Sequence, residues 1–222
     1  MKAFVINLKE RTHRLSLVEH WLRMGTFDWT RIEATDGLSL DPNTVSQINE
    51  GAARALKRGE IGCALSHIEA WKVALETTHS HFLFLEDDVK PKVPPVLIKR
   101  KLFQLEKQSQ WDIMYLTGVS NSARFKSLCN KKHLHPYLQG NFDFRDGKSI
   151  NDLFFYVGPQ VGAYAYMVTR QGATKLLDFF SGHLLNPVDV QIGQMNTWLK
   201  TGMTKEVLIE HRFDSVSDSQ RN

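Results

Sequence analysis

A chain of 222 residues with 42% hydrophobic and 23% charged residues has the composition of a folded protein with a sizeable core, which excludes intrinsic disorder. The net charge of +4 comes from lysines and arginines spread along the chain; it suits phosphate-bearing ligands or an anionic membrane surface and lacks the basic stripe of a nucleic-acid binder. With only Cys63 and Cys129, no disulfide framework is implied and a reducing cytoplasm is expected; Ala3–Leu8 is too short for a signal peptide, and no apolar run approaches a membrane span.

Ala3–Ile6 predicts a buried first strand. Asn7–Arg11 then turns into a helix with Leu15, Val18, Trp21 and Leu22 near a 3.6 period, stopped at Gly25. Phe27–Ala34 reads as a second strand ending in the turn Thr35-Asp36-Gly37, which makes a parallel β-α-β unit. Arg11 and Arg14 sit at the positive end of the first helix's dipole, an arrangement that is either screened by water or favoured by a bound phosphate. Residues 38–58 are largely polar, with Asp41-Pro42 as N-cap and first turn of a short helix.

Gly59-Glu60-Ile61-Gly62 opens a longer helix whose Ile61, Leu65, Ile68, Trp71 and Leu75 share one face, with Ser66 and His67 off it. The two glycines permit close approach of a ligand or a strand, and His67 by itself reads as an ordinary hydrogen-bonded histidine. His81–Leu85 is a buried central strand that runs into Glu86, Asp87 and Asp88, after which Pro91, Pro94 and Pro95 bar further strand. In open α/β sheets ligands bind beyond the carboxyl ends of the strands. Alternation sends Glu86 and Asp88 to one side and Asp87 to the other, and two carboxylates on one side suit a hard divalent cation.

Further along, Val96–Leu105 is helical in pattern and Trp111–Leu116 is strand-like. Residues 119–157 are irregular, carrying Arg124, Lys126, Lys131, Lys132 and several aromatics, and a loop-rich region of that length in a compact chain is more often functional than not. Ala163–Thr169 resumes as strand and Gln171–Phe180 as helix. A helix follows Pro187-Val188-Asp189 through Trp198, Glu206–Glu210 is a last strand, and the tail from Asp214 reads as loose. The alternation gives an α/β class, read as a single domain over residues 1–222. The acidic strand end also fits a Walker-type hydrolase, but Gly147-Lys148-Ser149 has Phe142 where the first glycine belongs.

In order along the chain, NLKERTHR at Asn7–Arg14, GEIGCALSH at Gly59–His67, FLEDDV at Phe84–Val89, GAYAYMVTRQGATKLL at Gly162–Leu177 and PVD at Pro187–Asp189 resemble glycosyltransferase family 25. This family includes lipooligosaccharide galactosyltransferases of Gram-negative bacteria and the collagen galactosyltransferases. The resemblance implies a GT-A fold with a mixed, mostly parallel sheet, a nucleotide-sugar half over residues 1–118 and an acceptor half over 119–222. It implies a UDP-sugar donor, most often UDP-galactose, with Mn²⁺ or Mg²⁺, and inverting transfer to a lipooligosaccharide or other glycan hydroxyl. A lipid-linked acceptor would bring peripheral contact with the cytoplasmic face of the inner membrane.

By the same resemblance Asp88 ligates the metal, and Glu86 faces the donor's ribose or a metal-bound water. His211, just after the last strand, would complete the metal shell, its other reading being a surface residue. Asn7, Leu8, Arg11, Arg14, Asp36, Gly59, Glu60, Ser66, His67 and Asp87 lie on the donor side. Asp189, at a helix start in the acceptor half, is the expected general base, its other reading being a simple N-cap. A non-catalytic nucleotide- or sugar-binding descendant of a transferase is the competing reading.

Overall fold

The run Ala3-Phe4-Val5-Ile6 forms strand β1 (Lys2–Asn7), and its alternation decides where each side chain goes. Phe4 and Ile6 enter one apolar cluster, Ala3 and Val5 another. The same holds for β3 (His81–Glu86), with Phe82 and Phe84 on the first face and Leu83 and Leu85 on the second. Both strands are therefore buried on both faces, as continuous apolar runs require. The computed structural model describes residues 1–52, 54–108, 110–117, 151–157, 160, 162–181 and 184–212.

Seven strands make the main sheet, in the order β2-β1-β3-β7-β5-β8-β6, where β2 is Trp29–Glu33, β5 Ile113–Tyr115, β6 Phe154–Tyr156, β7 Ala165–Thr169 and β8 Thr201–Thr204. β1 pairs in parallel with β2 and β3, and β5 does so with β8; β7 runs antiparallel to β3 and β5, and β6 to β8. Only β6 and β7 oppose the rest, so the sheet is mixed and mostly parallel. A separate antiparallel pair joins β4 (Val89–Pro91) to β9 (Ile209–His211).

Helices cover both faces. α1 (Thr12–Met24) and α4 (Pro95–Glu106) bury Val18, Trp21, Leu22, Ile98, Leu102 and Leu105 against Leu83 and Leu85. On the opposite face lie α3 (Arg58–Glu76), α5 (Arg170–Phe180) and α6 (Val188–Gln194), with Trp71, Leu176, Phe180 and Ile192 packed around Phe82 and Phe84. Between β2 and α3 come a short 3₁₀ turn (Gly37–Ser39) and α2 (Pro42–Glu50), whose cap Asp41 accepts from the Asn43 and Thr44 amides. The chain thus leaves β1 over one face to reach β2, then returns over the other face to β3 on the far side of β1. That reversal is the switch point where α/β sheets open a crevice for ligands.

The structure departs from the sequence reading in five places. The strand ends at Glu86 as read, but after a turn at Asp87 and Asp88 a separate strand, β4, follows, with Pro91 tolerated at the edge of a two-stranded ladder. Strand alternation therefore stops at Glu86, and Asp88 does not share its side by pleat. The buried face of α3 is rotated, so Ser66 and His67 are buried while Leu65, Ile68 and Leu75 are half-buried. Small residues decide this, since a side chain at Gly62 would put its Cβ 2.6 Å from Gly37 N and Thr35 O. Finally, Thr201–Thr204 is an unforeseen strand, Phe154–Tyr156 forms one within the stretch read as irregular, and the last strand is Ile209–His211. Arg124, Lys126, Cys129, Lys131, Lys132, the Gly147-Lys148-Ser149 remnant and the tail from Asp214 lie outside the described residues.

Candidate functional site

In the register of β1 and β3, Ile6 lies level with Glu86, so Asn7 and the Asp87–Asp88 turn emerge side by side at the switch point. Asn7, 1% exposed, joins the pieces. Its Nδ2 donates to Asp87 Oδ2 at 2.7 Å and to the Arg11 carbonyl at 3.0 Å, and its Oδ1 accepts from Arg31 Nε at 3.0 Å. A buried amide with these bonds fixes the start of α1 against the acidic turn. Leu8 is half-buried in that turn and its carbonyl accepts from the Arg11 amide. Arg11 occupies the cap position of α1.

Arg14, one turn into α1, reaches the acids: its Nη1 is 3.2 Å from Asp87 Oδ1 and 4.0 Å from Asp88 Oδ2. Burial pushes the Asp87 carboxyl up to about 6, against the opposing pull of Asn7 and Arg14. Asp88, 4% exposed, meets His211 Nε2 at 3.1 Å through Oδ2, while its Oδ1 is buried without a hydrogen-bond partner among the described residues. His211 is brought there by the β4–β9 ladder, in which it pairs with Val89, and by the Arg212 amide donating to the Asp88 carbonyl at 2.7 Å. Donating this hydrogen bond to the Asp88 carboxylate raises the His211 pKa above its ordinary value. Asn7, Arg14, Asp87, Asp88 and His211 are thus one constellation.

Glu86 turns elsewhere. It follows Phe82 and Phe84 on the face covered by α3, and its Oε1 lies 3.4 Å from His67 Nε2. His67, fully buried, has its Nδ1 2.8 Å from Tyr166 Oη, which accepts from Trp71 Nε1 at 2.9 Å. Cys63, one helical turn before His67, completes a group of three whose ligand atoms all lie within 4.8 Å of one another. Among the described residues it is the group of three or more that a metal ion could join. Burial, and then the charges of Glu86, Asp189, Asp88 and Glu60, hold the Cys63 thiol well above its usual pKa, which puts Asp189 in the same electrostatic neighbourhood.

Asp189 is tied down on both oxygens: Oδ2 accepts from the Gly162 amide at 2.8 Å and Oδ1 from the Val190 amide at 2.8 Å. Gly162 has φ +92, a conformation glycine adopts freely, so this bond fastens a turn that requires glycine to the start of α6. Asp36 caps the 3₁₀ turn by accepting from the Leu38 amide. Gly59 and Glu60 lie in the first turn of α3, where Glu60 accepts from the Lys57 amide at 2.9 Å and pairs with Arg54 at 2.5 Å. Ser66 Oγ accepts from the Thr35 amide at 2.8 Å and donates to the Gly62 carbonyl at 2.6 Å. These four serve the local architecture on which the acids stand. Arg31 and Tyr166 were not anticipated. Each sits at an ordinary strand position, and only the tertiary fold discloses its hydrogen bonds.

A family model described as "Glycosyltransferase family 25 (LPS biosynthesis protein)" matches residues 1–192. Procollagen galactosyltransferase 2 of Homo sapiens is 31% identical over 129 residues, which cover 52% of this chain and 20% of that protein. Procollagen galactosyltransferase 1 of Danio rerio is 30% identical over 202 residues, covering 85% of this chain and 30% of that protein. This chain therefore spans about a fifth to a third of the length of these relatives. Among solved structures, A197 from STIV is similar with a TM-score of 0.46 at 14% identity, covering 98% of this chain and 86% of that one. No described helix is long and apolar enough to cross a membrane.

Proposed function

The chain belongs to glycosyltransferase family 25, and from that premise we propose that it moves a hexose, first of all galactose from UDP-galactose, onto a glycan hydroxyl with inversion. One observation carries the reading: Arg14, Asp87, Asp88 and His211 converge beyond the carboxyl ends of β1 and β3. Asp88 offers a buried oxygen with no hydrogen-bond partner among the described residues, beside an imidazole. A carboxylate with an imidazole fits Mn²⁺, and Mg²⁺ less well, so Asp88 and His211 would hold the cation, while Glu86 faces His67 instead. When bound, such a cation neutralises charge on a diphosphate leaving group.

The chain's own residues supply the rest. Arg14 offers a guanidinium to the phosphates, and Arg11, Leu8 and the turn after Asn7 bound the nucleotide. Asp36, Gly59 and Glu60 would shape the wall along which uracil and ribose lie, with the buried Ser66 and His67 supporting it from within. In the transfer step an acceptor oxygen forms a bond to the anomeric carbon as the carbon–oxygen bond to phosphate breaks. The electron pair leaves with UDP, and Asp189 takes the hydroxyl proton. Strengthening donors around the departing diphosphate, rather than a protein acid on it, drives the step.

A lipid-linked oligosaccharide acceptor would have the chain working at the cytoplasmic face of the inner membrane, its net positive charge favouring an anionic leaflet. A panel of nucleotide sugars with Mn²⁺, scored by thermal shift and by slow donor hydrolysis, tests the proposal. UDP-galactose should stabilise the protein most and be hydrolysed. Stabilisation without turnover, even with glycan acceptors, would favour the non-catalytic reading; no response to any nucleotide sugar would sink both.

A further inference from the structure

We propose that Cys63, His67 and Glu86 form a second cation site, separate from the Asp88–His211 pair, that takes a borderline or soft divalent ion of the zinc type. Cys63 and His67 are four residues apart on α3 and so share one helical face. Glu86 meets that face because it continues the pleat of Phe82 and Phe84, which α3 covers. All three ligand atoms lie within 4.8 Å of one another.

Two details favour an ion over a simple hydrogen bond. The His67 Nε2 to Glu86 Oε1 separation of 3.4 Å is long for a nitrogen–oxygen hydrogen bond, whose usual length is about 2.9–3.0 Å. It matches the roughly 3.3–3.5 Å edge of a tetrahedron built on zinc–nitrogen and zinc–oxygen bonds of about 2.0–2.2 Å. The other ring nitrogen is already engaged: Tyr166 Oη is 2.8 Å from Nδ1 and is itself fixed by Trp71 Nε1 at 2.9 Å. An imidazole oriented through its second nitrogen is the usual support of a metal-bound histidine. Sulfur, nitrogen and one carboxylate oxygen select zinc or cobalt over manganese or magnesium. Three protein ligands leave a fourth position, facing the half-exposed side where Glu86 and Cys63 lie.

Cobalt(II) is the probe, because thiolate ligation gives it a charge-transfer band in the near ultraviolet. Reduced, metal-stripped protein titrated with Co²⁺ should develop this band at one equivalent, and Zn²⁺ should erase it. Cys63→Ser should abolish the band, whereas Cys129→Ser and Asp88→Asn should retain it. Tyr166→Phe should weaken cobalt affinity about 10-fold or more, as loss of an outer-shell partner does. Glu86→Gln, at a partly exposed position that does not threaten folding, should weaken it by at least as much. Absence of the band in the parent protein, its survival in Cys63→Ser, or unchanged affinity in Glu86→Gln overturns the proposal. Loss of the band in Asp88→Asn would show that the two sites are not separate and also overturns it. The donor proposal is read separately, from UDP-sugar turnover with Mn²⁺.

Discussion

His211 Nε2 lies 3.1 Å from Asp88 Oδ2 because β9 pairs with β4, the strand that begins immediately after Asp88. The ladder makes a residue near the end of the described chain a neighbour of the acidic turn. It gives Asp88 a cationic or neutral partner depending on pH, and every prediction about metal use runs through this pair.

Asp88→Asn should lower metal-dependent transfer at least about 100-fold, since a Lewis-acid cation supplies several kcal/mol of charge stabilisation. His211→Gln should weaken Mn²⁺ binding and leave UDP-galactose binding measurable at saturating metal. Calorimetric titration of Mn²⁺ into both variants checks this. Wild-type Mn²⁺ affinity in Asp88→Asn would remove Asp88 from the metal shell.

The pH dependence has a defined sign. Asp88 raises the His211 pKa, so the stability that this pair contributes is complete below the unfolded value near 6.5 and is lost as pH rises through the higher folded value. Asp87 acts in the same direction lower down, because burial raises its carboxyl from 3.8 to about 6. Metal-free protein should therefore melt at progressively lower temperature from about pH 4 to above 6.5, while apparent Mn²⁺ affinity climbs as His211 loses its proton. Melting curves across pH for the parent and His211→Gln separate the two contributions: the variant should lose only the upper part.

Arg14→Ala removes the cation between Asp87 and Asp88 as well as the phosphate contact proposed for it, so both UDP affinity and the charge balance of the turn should change. A loss of about 1.5–3 kcal/mol in UDP binding is expected for Arg14 and for Arg11. Arg14→Ala should also alter the pH profile of stability, because Asp87 loses its ion-pair partner. A profile identical to the parent's would contradict that role.

Asp189→Asn tests the base. A general base contributes about 10²–10⁴-fold, and the kcat loss should fall in that range. The two amide bonds that Asp189 accepts mean that an Asn cannot satisfy both, so a stability loss of about 1 kcal/mol should accompany it. Near-parent kcat together with a lower melting temperature would leave Asp189 as an anchor for the Gly162 turn.

Gly62→Ala probes the platform beneath the site. The added methyl would meet the backbone at Gly37 N and Thr35 O at 2.6 Å, where no flexible side chain can yield. Overpacking of this kind costs typically about 1–3 kcal/mol, readable as a shift in denaturation midpoint.

The constellation was legible where chemistry is local. The apolar run into Glu86-Asp87-Asp88 marks a buried strand that ends at a ligand-binding edge, and Asn7–Arg14 marks the neighbouring strand and helix start. The distribution of the carboxylates was not legible, because the turn after Glu86 cancels the pleat on which the reading relied. The burial of His67 was hidden for a related reason: Leu65, Ile68 and Leu75 suggest an inward face that only Ile61 and Trp71 fully keep, because glycines and alanines let α3 approach along a rotated one. Cys63 stood inside a quoted motif without a role, since a thiol gains meaning only beside its tertiary neighbours.

The β4–β9 ladder also sets an order of events during synthesis. β1, β2 and β3 are all complete by Glu86, and the carboxylate of Asp88 then emerges from the ribosome long before its imidazole partner. Between those moments the nascent chain carries the sheet edge and the acids but not the segment that closes over them. Translation through His211 is thus the step that finishes the pair, and a chain arrested before that point should expose the Asp88 turn to proteolysis that the finished chain resists.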